Sequence, residues 1–373
     1  MVRPTPRHRA TFASRRAAVA ALAMALLATL PAGGAPGRSV LAADLPSAIV
    51  TPRAAGADRF ATAVQVSQRL FPSGAAPVVY LASGEAFPDA LAAGPAAAGG
   101  GGAVLLTRRD AVPAVVEAEL VRLAPARVVV VGGPAAVSDA VASRVRSLLG
   151  AGVAIERLAG PDRYATAAAV SAASFLPGSA QVAFVAFGGD FPDALAAGAA
   201  AASIGAPILL TRSDAIPDPT ATELRRLAPG RIVVVGGPAV VSAAVERALG
   251  SFAPSVERLA GPDRFGTAAA VAGRYFPAAS TTIVATGLAY PDALAAVPLA
   301  ATLAAPVLLV RPTAVPAPTR ERVLAGRPST ILAVGGPSAV APAVLDELAA
   351  WAFGRLASLP SGPGYPTYDS RYH

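Results

Sequence analysis

The sequence contains no cysteine and no lysine: all 31 of its basic residues are arginine. Its two histidines are His8 and His373, and its two methionines, Met1 and Met24, lie near the start. From residue 44 to residue 372 there is therefore no thiol nucleophile, no Cys/His zinc set, no Ser–His–Asp triad, no Schiff-base lysine and no Walker lysine. Carboxylate, Ser/Thr, Tyr and Arg chemistry remains, and no cofactor and no metal is called for. Charge is scarce, at 14% of residues against 54% hydrophobic, a balance that excludes disorder over most of the chain. Without cysteine, the redox compartment is unread, since an exported protein can do without disulfides.

The net charge of +8 invites a nucleic-acid reading that the distribution does not support. Six arginines (Arg3, Arg7, Arg9, Arg15, Arg16, Arg38) precede Asp44 and no acid does, so loss of that stretch lowers the charge to +2. No nucleic-acid partner is expected. Residues 1–43 read as a signal peptide: a basic start, an apolar run from Ala17 to Leu30, then small residues ending in Ala42-Ala43. The apolar run is shorter than the ~20 residues of a spanning helix, so no stable membrane insertion is expected after cleavage. A tail over 357–373, rich in Pro, Gly, Ser and Tyr, is expected to hold little fixed structure.

Between leader and tail, four motifs recur three times in the same order. Gly56-Ala57-Asp58-Arg59-Phe60-Ala61-Thr62 returns as Gly160 to Thr166 and as Gly261 to Thr267. Phe87-Pro88-Asp89-Ala90-Leu91 returns as Phe191-Pro192-Asp193-Ala194-Leu195 and Tyr290-Pro291-Asp292-Ala293-Leu294. Val104-Leu105-Leu106-Thr107-Arg108 matches Ile208-Leu209-Leu210-Thr211-Arg212 and Val307-Leu308-Leu309-Val310-Arg311. Gly132-Gly133-Pro134 matches Gly236-Gly237-Pro238 and Gly335-Gly336-Pro337. The repeats are placed at 49–150, 151–253 and 254–356.

Within each repeat, short β-branched runs (78–82, 103–107 and 127–131 in the first) alternate with Ala-rich stretches (88–98, 113–124, 137–149). Continuous apolar runs suit strands buried on both faces, and the alternation implies parallel strands with right-handed crossover helices. The fold class is α/β: three tandem ~100-residue, three-layer, parallel-sheet modules. The joins, Val153 to Leu158 and Ser255 to Leu259, read as strands running into the next repeat, and Phe353-Gly354-Arg355-Leu356 reads as a worn fourth copy. No Gly/Ser spacer separates the repeats, so rigid packing with pseudo-threefold symmetry is expected.

Each motif has a structural and a functional reading. Gly-x-Asp-Arg suits a strand-to-helix turn, with Pro at the first helical position and Asp58, Asp162 and Asp263 in the first turn. Its Arg59, Arg163 and Arg264 either serve as structural partners at the repeat boundary, the favoured reading, or touch a ligand. Asp89, Asp193 and Asp292 either cap helices or stand at the carboxyl edge of the sheet, where open α/β sheets bind ligands and where they could accept sugar hydroxyls. The Leu-Leu segments read as a central strand. Arg108, Arg212 and Arg311 follow them on the ligand-binding edge, and the double glycines leave backbone N–H groups to face an anion. Together these suit a phosphate or carboxylate, although Gly-Gly-Pro lacks the spacing of a dinucleotide fingerprint or a P-loop. Glu85 has Gly189 and Leu288 as its counterparts and no second carboxylate to pair with, so catalysis by it is not expected.

These motifs resemble the cell-wall-binding type 2 repeats of Gram-positive bacteria, whose units carry the same opening, Asp-Ala-Leu start, Ile-Leu-Leu segment and Gly-Gly turn before Val-Ser. The resemblance covers about Arg53 to Leu356, with Val137-Ser138 and Val241-Ser242 after the first two turns and Val340-Ala341 after the third. It implies a compact pseudo-trimer of toprim-like, Rossmann-like modules that attaches an exported surface protein, noncovalently, to an anionic cell-wall polymer or peptidoglycan-linked polysaccharide. It also implies an anchoring role for Leu105, Leu106, Leu209, Leu210, Leu308 and Leu309. Members of that family often add an effector domain, and no room for one is expected here. The expectation is a secreted, non-enzymatic wall binder. Two alternatives stay open: an α/β enzyme or nucleotide- or sugar-phosphate-binding protein using the same sheet edge, and a wall-displayed adhesin or regulator presenting the Tyr-rich tail.

Overall fold

The protein is described by a computed structural model over residues 49–353; the stretch 1–43 expected to be a signal peptide, residues 44–48, residues 354–356 and the tail over 357–373 lie outside the described residues. The chain enters through β1 (Arg53–Ala54) and α1 (Arg59–Leu70), followed by β2 (Val78–Ser83), a 3-10 turn (Ala90–Ala92), α2 (Ala93–Gly99), β3 (Ala103–Thr107), α3 (Ala114–Leu123), β4 (Arg127–Val131) and α4 (Asp139–Leu149). The second unit repeats the order as β5 (Ala154–Leu158), α5 (Arg163–Ser174), β6 (Val182–Phe187), α6 (Pro192–Ile204), β7 (Ile208–Thr211), α7 (Asp218–Leu227), β8 (Arg231–Val235) and α8 (Ala243–Leu249). The third gives β9 (Ser255–Leu259), α9 (Arg264–Tyr275), β10 (Thr281–Thr286), α10 (Pro291–Thr302), β11 (Val307–Val310), α11 (Ala317–Gly326), β12 (Thr330–Val334) and α12 (Pro342–Ala352).

Every sheet is parallel and four-stranded, in the orders β3-β2-β4-β5, β7-β6-β8-β9 and β11-β10-β12-β1. The junction strands are shared out in an unexpected way. β5 follows the 150/151 boundary in sequence yet pairs with β4, from Arg127 opposite Ala154 to Val131 opposite Leu158. β9 joins the second sheet in the same manner. The fourth place in the third sheet is filled by β1, with Arg53 opposite Ala333 and Ala54 opposite Val334. The start of the described chain thus closes a ring; of the worn fourth copy over 353–356 only Phe353 is among the described residues, in a turn after α12. Each junction strand satisfies the open edge of the sheet before it, which an unpaired edge strand would leave exposed.

The Leu-Leu strands β3, β7 and β11 are edge strands by hydrogen-bond order, not central ones. They are nonetheless buried throughout, because helix and turn segments of the preceding unit cover them, α10 over β3 and α6 over β11. That coverage explains why their sequence reads as a central strand: burial on both faces selects the same residues.

The inner helices α2, α6 and α10 pack on one another about the pseudo-threefold axis. Small residues let them approach: a Cβ at Gly94 would stand 2.7 Å from Val297, and one at Gly198 2.8 Å from it. Gly94, Gly198 and Val297 hold equivalent positions in the three repeats, so one isopropyl group fills the space that two glycines leave. Away from the axis, the first two units bury a polar brace. Glu119 accepts from the Ser67 hydroxyl at 2.5 Å and from Arg122 at 2.6 Å, while Arg122 also holds the Phe71 carbonyl. Glu223 repeats it with Ser171 and Arg226. In the third unit Ala272, Arg322 and Ala325 take those positions, and Arg322 alone donates to the Phe276 and Pro277 carbonyls.

Candidate functional site

The Gly-x-Asp-Arg aspartates are N-caps, not first-turn residues. Asp58, Asp162 and Asp263 accept from the N–H of Ala61, Ala165 and Gly266, each at 2.8 Å, which places the preceding Pro161 and Pro262 outside the helix. A short carboxylate in extended backbone reaches the third helical N–H, a bond a first-turn side chain cannot make. The aromatic that follows packs inward, with Phe60 and Phe265 buried.

Arg59, Arg163 and Arg264 cross the unit boundary. Each donates to a glycine carbonyl within its own unit: Gly84 at 2.5 Å, Gly188 at 2.6 Å and Gly287 at 2.8 Å. Arg163 also lies over the Phe87 ring of the first unit, and Arg264 over Phe191 of the second. Arg59 completes the set beside Tyr290 of the third, whose hydroxyl is pushed up to about 12 by burial, opposed by that guanidinium. Phe87, Phe191 and Tyr290 form a triangle on the axis, with ring centroids 5.6 to 6.0 Å apart. This trio was missed in the sequence, although an aromatic before Pro-Asp-Ala-Leu in every copy is a visible signal.

Asp89 precedes its 3-10 turn without a capping hydrogen bond, and Asp193 and Asp292 stand in the first turns of α6 and α10 behind Phe191 and Tyr290. Their carboxylates turn to the Gly-Gly turn of the same unit and to the opening motif of the next. A Cβ on Gly132 would lie 2.9 Å from an Asp89 oxygen, and on Gly236 or Gly335 2.5 Å from Asp193 or Asp292. These first glycines also have φ of +102° to +114°, so both backbone and neighbour require glycine there. Burial raises the Asp89 pKa, opposed by the Thr166 hydroxyl and Arg163 and reinforced by Asp162. Burial does the same to Asp193, opposed by Thr267 and Arg264 and reinforced by Asp190. Asp292 is pushed up to about 6 by burial, with Arg59 opposing.

A cleft of about 170 Å³ opens at the junction of the second and third units, where Asp193, Asp190 and Gly237 face Asp263, Arg264 and Thr267. An equal cleft joins the third unit to the first, from Asp292, Gly336 and Ser338 to Asp58, Arg59 and Thr62. Only a closed ring places residues from the two ends of the described chain in one cleft.

The expected pairing of Arg108, Arg212 and Arg311 with the Gly-Gly turns is not the observed geometry. Neither Arg212 nor Arg311 lines these clefts, because the strands they leave, β7 and β11, are separated from β8 and β12 by a whole strand. Instead the three guanidiniums lie over the aromatic of their own unit, Phe60, Tyr164 and Phe265, at 5.1, 5.5 and 5.1 Å. The N–H groups of Gly132, Gly236 and Gly335 are also engaged, donating to the Leu158, Leu259 and Ala54 carbonyls. The turns are fastened further by arginines that sequence reasoning left without a role. Arg157 donates to the Gly132 and Val137 carbonyls at 2.7 Å, Arg258 to Gly236 at 2.6 Å and Arg53 to Gly335 at 2.6 Å. Gly133, Gly237 and Gly336 are the glycines left facing open space. Leu105, Leu106, Leu209, Leu210, Leu308 and Leu309 are all fully buried, so none presents a side chain to solvent.

Comparison with known proteins matches the same residues. The model of the family described as cell wall binding domain 2 (CWB2) fits three times, over 53–142, 157–246 and 258–345. The chain is 30% identical over 312 residues to the N-acetylmuramoyl-L-alanine amidase LytC of Bacillus subtilis, covering 84% of this chain and 60% of that protein. It is 29% identical to the amidase enhancer of the same organism, over 73% of this chain and 36% of that protein. Among solved structures it resembles Cwp6 from Clostridium difficile (TM-score 0.75, 26% identity, 82% of this chain and 48% of that one). Cwp8 from the same organism gives a TM-score of 0.74 at 29% identity, over 82% of this chain and 52% of that one. The chain therefore spans about a third to three-fifths of the length of these relatives. With three ordered family matches laid over three linked sheets, the chain belongs to the cell wall binding domain 2 family.

Proposed function

We propose that this chain is an exported, non-catalytic module that attaches noncovalently to an anionic polymer of the cell wall and so resides at the cell surface. The observation that carries the reading is the junction cleft, built in like manner from an aspartate and Gly-Gly turn of one unit and the Gly-x-Asp-Arg opening of the next. A carboxylate beside an arginine suits the hydroxyls and charged groups of a polysaccharide, since one accepts and the other donates. Relatives named as an N-acetylmuramoyl-L-alanine amidase and an amidase enhancer support the location; their activities are not carried to this chain, which covers only part of each. The lack of Cys, Lys and His from 44 to 372 supports holding over turnover. Repetition around a ring supports binding along one polymer, where several weak contacts gain affinity together. The buried Leu-Leu segments then act indirectly, by seating each unit against its neighbour.

The test is retention of the full chain on purified Gram-positive walls, before and after acid extraction of secondary polymers. Strong retention on native walls and little on extracted walls is expected. Equal retention on both defeats the polymer claim, and hydrolysis of wall fragments by the pure chain defeats the non-catalytic one.

A further inference from the structure

The loops leaving the three Leu-Leu strands differ in one respect that bears on which units can take up charge. In the first unit Glu85 is held by the loop: its carboxylate lies 3.6 Å from the Arg108 guanidinium and accepts from the Arg109 backbone N–H at 3.1 Å. The guanidinium is fixed from behind by the Phe60 ring. A side-chain oxyanion thus occupies a seat made by one guanidinium, which pairs with it by charge, and the next backbone N–H, which donates to it.

The second unit keeps the seat and lacks the occupant. Arg212 lies over Tyr164, is exposed, and makes no ion pair among the described residues. Ser213 stands in the place of Arg109, and its N–H donates to no partner among the described residues. Glycine replaces Glu85 at Gly189, so the loop offers no carboxylate at that position, and a Cβ there would meet the end of the Phe187 ring at 2.3 Å. Asp190, the nearest acid on that loop, is turned to Arg264 and to the Phe191 N–H. In the third unit Arg311 is likewise stacked, but Leu288 replaces the glutamate and Pro312 has no N–H, leaving the guanidinium alone.

We propose that the Arg212–Ser213 loop is an oxyanion site for a carboxylate or phosphate group, that Glu85 fills its counterpart in the first unit from within, and that the third unit keeps half of it. A planar guanidinium held on an aromatic face and a backbone N–H together recognise two oxygens of one anionic group. The repeats are therefore unequal in charge recognition despite their shared fold. As a polymer contact this rests on the wall-binding reading; as a site it does not.

The experiment is amide NMR of the full chain titrated with inorganic phosphate, then with acetate, against chloride at equal ionic strength. The Ser213 amide is expected to shift saturably in wild type, to lose that shift in R212Q, and to keep a weakened response in R212K. The Arg109 amide is expected to stay silent in wild type and to begin titrating in E85A. Phosphate acting alone assigns a phosphate site, and both probes acting assign a general oxyanion seat. On native walls R212Q is expected to bind about tenfold more weakly, the scale of one lost charge-assisted contact. A Ser213 amide that ignores both anions, or moves equally in R212Q, overturns the site even where wall retention persists. Wild type that holds native and extracted walls alike overturns the polymer reading and leaves the titration result standing.

Discussion

Val297 stands where the three inner helices meet, and its replacement tests the packing of the axis directly. It is buried, and a methyl at Gly198 would lie 2.8 Å from its Cγ2. V297A removes two buried methyl groups, about 0.8 kcal/mol each in transfer, and the residual void brings the loss to about 2–3 kcal/mol. G198A adds a methyl at a distance no packed carbon tolerates, costing about 1–3 kcal/mol, less roughly 1 kcal/mol that alanine gains over glycine within a helix. In the double variant the new methyl enters the space vacated by Cγ2, since the Cβ that remains at 297 is 3.9 Å away. The pair is therefore expected to be more stable than the sum of the single losses by about 1–2 kcal/mol. Equilibrium urea unfolding of the four proteins, followed by far-UV circular dichroism and by the emission of the single tryptophan, Trp351, measures this coupling. Gly198 belongs to the second unit and Val297 to the third, so losses that add to within about 0.5 kcal/mol would refute the packing of the axis.

Two further outcomes follow from buried charge. The Asp292 pKa is raised from 3.8 to about 6, so the folded state binds the extra proton between those values. Its contribution is fully present below about pH 4 and is lost as pH rises through about 6. D292N, always neutral, is expected to flatten that loss and to be more stable than wild type at pH 7 by up to about 3 kcal/mol, with no advantage at pH 4. Urea midpoints at four pH values check this, and parallel profiles for the two proteins contradict it. E119A leaves Arg122 without its buried carboxylate and is expected to cost about 2–4 kcal/mol. The triple change S67A/E119R/R122A, which copies Ala272, Arg322 and Ala325 of the third unit, is expected to recover part of that loss in thermal unfolding. No recovery would mean that Arg322 does not replace the brace.

Strand identity was legible in the sequence because a strand covered on both faces must be apolar at every position, as Val104-Leu105-Leu106 and Val128 to Val131 are. Helix starts were legible from Asp58 and its equivalents, although the choice between cap and first turn needed the backbone. The site was only half legible. Asp193, Gly237 and Arg264 could each be singled out, yet nothing in their order says that Asp193 and Gly237 of one unit meet Arg264 of the next. Arg212 drew notice for its charge, but its separation from the Gly-Gly turn depends on strand order, which apolar runs do not encode.

Periodicity and composition alone determined a triplicated parallel α/β chain without Cys, Lys or His in its body, because burial and backbone geometry constrain each residue locally. Tertiary structure decided which sheet each junction strand joins, that β1 closes the ring, and that Glu85 takes the anion seat of its own unit. Those outcomes depend on edges and charges far apart in the chain finding the partners that leave fewest groups unsatisfied. That competition is settled in space and leaves no local pattern to read.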